Sequence, residues 1–308
     1  STLFPYTTLF RSHNFGDVDT LSLSRKKLHY AFDHGITHFD LANNYGPSYG
    51  SAEETFGQIM KSSFAPYRDE LFISTKAGHD MWPGPYGNWG SRKHLMASLD
   101  QSLKRMNLDY VDVFYSHRYD PETPLEETLQ ALVDIVRKGK ALYVGLSKYP
   151  LDAYLFACRY LKERDVPCLL YQGRYSMLVR EPESQGILNA VKENGSGFVA
   201  FSPLAQGLLT NRYLNGIPDD SRIARGGFLK KEALTPEVLS KIQALNERAA
   251  MRGQSLAEMA LAWLLKNETV TSVIVGASSV EQLGDSLKTL NHLSFEEEEL
   301  HAIEKILI

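Results

Sequence analysis

Cysteine is nearly absent from this 308-residue chain: Cys158 and Cys168 are its only two, and they show no metal-ligand spacing. A disulfide framework is therefore excluded, no metal site is expected, and two buried thiols in a cytoplasmic protein are the expectation. No apolar run approaches the ~18 residues of a membrane span. No charged n-region followed by an apolar h-region marks a secretory signal. Basic residues show no excess either: 33 Lys and Arg stand against 37 Asp and Glu, a formal charge of -4. That removes the usual reason to expect nucleic acid, while phosphorylated small molecules need only a few local cations or helix N-termini. No Gly-x-Gly-x-x-Gly follows any apolar strand, which argues against a Rossmann domain.

What the chain does have is alternation. Helical periodicity over Leu21–Asp33 gives way to a strand over 36–42. The pattern then repeats: helix 51–62, strand 71–77, helix 91–106, strand 111–117, helix 125–137, strand 141–147, helix 151–162, strand 168–173, helix 184–193 and strand 197–202. Ser51 and Glu54 have the spacing of a capping box. An irregular stretch over 203–235 precedes helices at 237–251 and 255–266, a strand at 271–276, and helices from 280 and 295. The strands are near-continuous apolar runs, as expected when both faces are covered. Seven strands each followed by helix predict a parallel sheet closed into a single-domain (β/α)8 TIM barrel.

An eighth strand belongs before residue 16. There, Thr2–Ser12 reads as the translation of a common sequencing adapter, so residues 1–12 are expected to be non-native and the first strand lost or replaced. The barrel domain is assigned to residues 13–308, and its C-terminus is expected to be truncated.

In such a barrel, catalytic groups sit where strands end. Asp40, Lys76, His117, Ser147, Gln172 and Ser202 all fall at strand exits, and Tyr45 follows Asp40 by five residues. Each alone has a bland explanation: Asp40 as a cap, His117 as a satisfied core histidine, Tyr45 as loop packing. Lys76 is harder to dismiss, because a lysine ending an apolar strand needs a buried partner. Together the four make a proton-transfer set. A free phenol titrates at about 10, too high for efficient proton transfer near neutrality. A neighbouring ammonium favours phenolate, and a carboxylate keeps that ammonium charged. A general acid for a carbonyl oxygen results, and a nicotinamide hydride is the natural companion.

The segments Phe39–Gly46 (Phe-Asp-Leu-Ala-Asn-Asn-Tyr-Gly), Ser74–Gly78 (Ser-Thr-Lys-Ala-Gly) and Tyr115–Arg118 (Tyr-Ser-His-Arg) resemble the catalytic motifs of the aldo-keto reductases. Within that family they are most similar to the bacterial L-glyceraldehyde 3-phosphate reductase group, which is related to potassium-channel β subunits. The resemblance implies a barrel binding NADPH across its C-terminal mouth. Tyr45 would be the proton donor, Asp40 and Lys76 its tuning pair, and His117 the group orienting the carbonyl. It further implies that Ser147 and Gln172 hold the carboxamide and Phe201 stacks on the nicotinamide. Ser202, Pro203, Leu204, Gln206, Gly207 and Leu208 would wrap the pyrophosphate, with Arg212 and Arg222 flanking it. Gly276, Ser278, Ser279 and Gln282 would meet the adenosine 2'-phosphate, and Asp285 the adenine.

There are departures from the family pattern. Ser279 stands where relatives often carry a basic residue, Asp285 and Ser286 where Glu and Asn are usual, and Lys148 where a small polar residue is usual. Phe10 and Ser12 occupy the places of a Gly and a Trp. The substrate is expected to be a small aldehyde, with Trp82 and Tyr86 of the loop after residue 78 as candidate pocket walls. Two other classes share parts of this pattern. Channel-type regulatory subunits typically carry Asn at the position of His117, so His117 favours catalysis. A Schiff-base enzyme using Lys76 is disfavoured by the matched Tyr45 and cofactor loop. A homo-oligomer is left open.

Overall fold

The computed structural model describes residues 7–11 (backbone only), 15, 19–214, 216–219, 223 and 229–308. Eight parallel strands close a barrel in sequence order: β1 Thr7–Arg11, β2 His38–Asp40, β3 Phe72–Ala77, β4 Val111–Ser116, β5 Ala141–Ser147, β6 Cys168–Arg174, β7 Gly197–Phe201 and β8 Val270–Val275. Outside them lie α1 Leu21–Asp33, α2 Ser51–Ile59, α3 Arg92–Met106, α4 Leu125–Arg137, α5 Leu151–Lys162, α6 Glu181–Ser184, α7 Ile187–Glu193, α8 Pro236–Met251, α9 Leu256–Leu265, α10 Val280–Leu287 and α11 Glu297–Leu307.

The stretch expected to be non-native, with the first strand lost or replaced, itself supplies β1. Thr7–Phe10 pair with Ser272–Val275 of β8, and Phe10 and Arg11 with Phe39 and Asp40 of β2. Ladder bonds are made by main-chain groups that every non-proline residue carries. Thr-Thr-Leu-Phe-Arg thus closes a barrel whatever its origin.

Side chains alternate in and out along each strand. One parity, including Phe39, Ile73, Phe114, Val144, Leu146, Tyr171, Phe198 and Val273, packs under the helices in the main core. The other parity fills the interior, where Val113, Tyr115, Leu170, Val199 and Ile274 form a separate apolar cluster. Asp40, Lys76, Ser147, Gln172 and Phe201 all share this inward parity. Gly145 is required here: a Cβ at this position would lie 2.3 Å from the Tyr115 ring.

Several local expectations give way. The strand expected over 36–42 is ordered as a ladder only over His38–Asp40. Ser51 is not a cap: Gly50, with φ of 93°, takes that place, and Ser51 Oγ finds no partner among the described residues. The helix expected to run to 62 changes pitch at Met60, where a π turn (Met60–Phe64) and then a 3-10 turn (Ala65–Glu70) carry the chain to β3. The single helix expected over 184–193 is two, broken at Gly186 with φ of 76°. Both cysteines are buried free thiols. No helix among the described residues is long and apolar enough to cross a membrane.

Helices α2 and α3 meet so closely at Gly57 that an added Cβ would lie 2.1 Å from the Arg105 carbonyl oxygen. In an exposed helix interior Gly→Ala stabilises by about 1 kcal/mol. Here the expected sign is opposite: Gly57→Ala forces the two helices apart and costs about 1–3 kcal/mol, read as a lower urea midpoint at unchanged slope. A raised midpoint would show the contact to be soft.

Candidate active site

Inside the barrel lies a buried ion pair. β2 ends at Asp40 and β3 carries Lys76 one turn of the ladder further out. Lys76 Nζ lies 2.5 Å from Asp40 Oδ2, with both side chains fully buried. Lys76 also donates to the Leu41 carbonyl at 2.6 Å. The other carboxylate oxygen, Oδ1, accepts from Ser74 Oγ at 2.6 Å and, at 3.4 Å, from Gln172 Nε2. The Ser74 proton being committed to Asp40, its oxygen accepts from His38 Nε2 at 3.1 Å. Burial, with Lys76 adding to it against the pull of Asp40, lowers the His38 pKa from 6.5 to about 3. His38 is therefore a neutral donor at the foot of a chain that runs to Ser74, Asp40 and Lys76.

Above this pair the structure brings Tyr45 and His117 together. Lys76 Nζ is 5.1 Å from the centroid of the Tyr45 ring. The rings of Tyr45 and His117 meet edge to face at 5.9 Å, and both residues are about 5% exposed. A second phenol, Tyr115, lies 5.5 Å from the same ammonium. Burial first, and then the Asp40 charge, hold Tyr115 well above the ordinary tyrosine value. It stays protonated and, walled in by Gly145, is not exposed to the mouth, which leaves Tyr45 as the phenol at the mouth.

Two further groups stand at the mouth. The His79 ring packs edge to face on His117 at 4.5 Å. Lys148, held at a left-handed φ of 57°, donates from Nζ to His79 Nε2 at 3.2 Å. Burial, then Lys148 and Arg118, bring the His79 pKa down to about 4, so His79 accepts as a neutral ring.

Ser147 and Gln172 are register partners at the ends of β5 and β6, and Phe201, half-buried, ends β7 beside Arg174. Ser147 Oγ is fully buried with no partner among the described residues, a polar atom that suits an incoming amide. The following loop is sharply bent: Ser202, Ala205, Gln206 and Gly207 all have positive φ, with Pro203 and Leu208 buried and Leu204 half-buried. Strain of this kind concentrates at functional loops. Arg212 lies exposed on the 3-10 turn that ends the loop. Arg222 lies outside the described residues. Ser279 caps α10, accepting from Gln282 N at 3.2 Å, while Gln282 Oε1 accepts from Ser278 N and Oγ at 2.7 and 2.8 Å. Gly276 faces open space, with nothing within 4 Å of an added Cβ. Asp285 is exposed and pairs with Lys288 at 2.7 Å.

The two proposed substrate walls turn elsewhere in part. Trp82 packs on His94 of α3 at 5.0 Å, and the Tyr86 ring, 47% exposed, lies under Lys93. The loop is pinned by Arg118, which stacks 3.6 Å over Trp89 and donates to Gly78 O and Asn88 Oδ1. Its residue that packs on His117 is His79, which reasoning from aromatic walls missed. Ser74 and His38 were missed as well. The inward parity they share with Asp40 and Lys76 was the available signal.

Stability should report the neutral His38. Unfolded, it binds a proton near 6.5, and folded only near 3, so the unfolded state holds more protons in between. Stability then falls as pH drops from 6.5 toward 3. The parent should lose about 1.4 kcal/mol per pH unit more than His38→Gln, by urea unfolding at pH 6 and pH 5. Parallel slopes would place the protonation elsewhere.

The chain matches the model of the aldo/keto reductase family over residues 16–308. It is similar to two Escherichia coli proteins named L-glyceraldehyde 3-phosphate reductase, 56% and 55% identical over 306 residues, covering 98% of this chain and 88% of each relative. A probable voltage-gated potassium channel subunit beta of Arabidopsis thaliana is 36% identical over 283 residues, 90% of this chain and 84% of its own length. A barrel with this ion pair at its centre, matched by the family pattern from the residue after its first strand and lead-in to its last helix, is an oxidoreductase: the chain belongs to the aldo/keto reductase family.

Proposed function

We propose that the chain reduces small aldehydes to alcohols, with Tyr45 as the proton donor and NADPH as the source of hydride. The observation that carries the reading is the convergence of Tyr45, Lys76, Asp40 and His117 from three successive strand ends onto one mouth. The donor set suits a nicotinamide cofactor. The buried Ser147 hydroxyl and the Gln172 amide would take the carboxamide, Phe201 the ring face, the bent 202–208 loop with Arg212 the pyrophosphate, and Ser278, Ser279 and Gln282 the far phosphate. When bound there, the cofactor supplies hydride to the carbonyl carbon.

The protein's own part is to meet the charge that develops on oxygen. His117 orients the carbonyl and Tyr45 gives its proton to the oxygen. The Lys76 ammonium stabilises the phenolate left behind, and Asp40, itself held by Ser74, keeps that ammonium charged and aimed. The names of the Escherichia coli relatives direct the choice of substrate to L-glyceraldehyde 3-phosphate, and methylglyoxal is the second three-carbon aldehyde to try.

Quenching of tryptophan fluorescence by NADPH and NADH is the first test, with NADPH expected to bind more tightly. Tyr45→Phe should then lower kcat by about 10²-fold or more with NADPH affinity retained. Turnover surviving in that variant would remove Tyr45 from the role of acid. Equal loss of NADPH binding would make it a cofactor contact.

A further inference from the structure

Lys148 takes no part in the mechanism, yet its contacts tie it to groups that do. It follows Ser147 directly, and its backbone N–H donates to the Gln172 carbonyl at 3.2 Å, so its stem starts beside both residues proposed for the carboxamide. A left-handed φ of 57°, uncommon for a lysine, fixes the direction of that stem. The side chain then reaches two rings. Its ammonium lies 5.6 Å from the centroid of Phe201 and 3.2 Å from His79 Nε2. The His79 ring in turn packs edge to face on His117 at 4.5 Å.

The nature of the acceptor decides what this ammonium can do. Lys76, deeper in the barrel, is met by the Asp40 carboxylate, and opposite charges so close largely cancel at a distance. His79 meets Lys148 as a neutral ring, because burial, then Lys148 and Arg118, bring the His79 pKa down to about 4. That hydrogen bond positions the Lys148 ammonium without cancelling its charge. The ring of Phe201, assigned above to the nicotinamide, therefore has a positioned cation beside it.

We propose that Lys148 selects between the redox forms of the cofactor, opposing the positively charged nicotinamide of NADP+ and accepting the neutral dihydronicotinamide of NADPH. This selection presupposes the reductase reading and gives it a direction: reduced cofactor is held, and oxidised cofactor is let go once its hydride has passed to the carbonyl carbon. The two forms carry the same adenosine, ribose and phosphate groups, so contacts there weigh equally on both and cancel in the ratio of their affinities. A charge beside the nicotinamide moves that ratio. Lys148 is exposed, which screens it, and at this range its repulsion is worth on the order of threefold to tenfold in affinity.

Calorimetric titration with NADPH and with NADP+ tests this in the parent, Lys148→Met, Lys148→Arg and His79→Phe. Lys148→Met should tighten NADP+ relative to NADPH by about threefold to tenfold. Lys148→Arg keeps the cation, and its ratio should stay within about twofold of the parent's. His79→Phe keeps a ring against His117 but removes the acceptor, and should move the ratio in the same direction as Lys148→Met by a smaller step. The parent's preference should also narrow as salt rises from about 0.05 to about 0.5 M, as screening requires, and that of Lys148→Met should narrow less. An unchanged ratio in Lys148→Met overturns the proposal. So does an equal loss of affinity for both forms, which would make Lys148 a contact to the groups they share. In either case NADPH binding by the parent leaves the reductase reading standing. A parent that binds neither form overturns that reading, and the proposal with it.

Discussion

Two charges without water set the terms for the rest of the barrel. Lys76 and Asp40 are both fully buried, and removing a lone ammonium or carboxylate from solvent costs several kcal/mol that attraction alone does not reliably recover. The structure meets that cost with hydrogen bonds. The Leu41 carbonyl takes a second lysine proton, Ser74 and Gln172 serve the far carboxylate oxygen, and His38 completes Ser74. The four partners come from three strands: His38 and Leu41 from β2 and its exit, Ser74 from β3 and Gln172 from β6. The pair is therefore satisfied only when β2, β3 and β6 hold their register.

Much of this was legible in the sequence, for a definite reason. A barrel strand buried on both faces reads as an apolar run, so a Lys or Asp inside one is conspicuous, as are the polar ends of strands. The alternation gave strands and helices within a few residues. Asp40, Lys76, His117, Ser147 and Gln172 could be placed at one mouth before any geometry was known. Ser74 and His38 escaped notice because small polar and aromatic residues are unremarkable in a strand. Only the inward parity, fixed once the ladder is built, gives them a role. Phe201 illustrates the converse: as sequence it is plain core, yet it belongs to the interior side and is half-buried at the rim.

Loops and caps were harder because their outcome depends on neighbours distant in sequence. Ser51 and Glu54 have capping-box spacing, but Gly50 takes the cap and Glu53 is drawn inward to Thr75 and Arg105. The helix after it loses its pitch at Met60, where Met60 and Phe64 are drawn into the core. The aromatic loop after β3 was read as a pocket wall from its composition. In the structure Arg118, just past the exit of β4, stacks on Trp89, while Trp82 packs on His94, Tyr86 lies under Lys93 and His79 packs on His117.

Depth along the barrel axis orders these groups by the charge each can carry. Lowest is His38, beside Phe72, kept neutral because burial outweighs the nearby carboxylate. One step higher, charge is tolerated only as the Lys76–Asp40 pair. Higher still are Tyr45 and His117, the groups proposed to meet the substrate carbonyl, which are almost, but not wholly, covered. At the rim Lys148 and Arg174 sit in solvent, where an ammonium or guanidinium needs no buried counter-ion. A lysine moved down to the level of His38 would be pressed to lose its charge, while at the rim His79 stays neutral because burial and the neighbouring Lys148 and Arg118 cations oppose its protonation. Within one mouth the state of a polar side chain, neutral donor or fixed charge, follows how far the strand carries it from water and which partners meet it there.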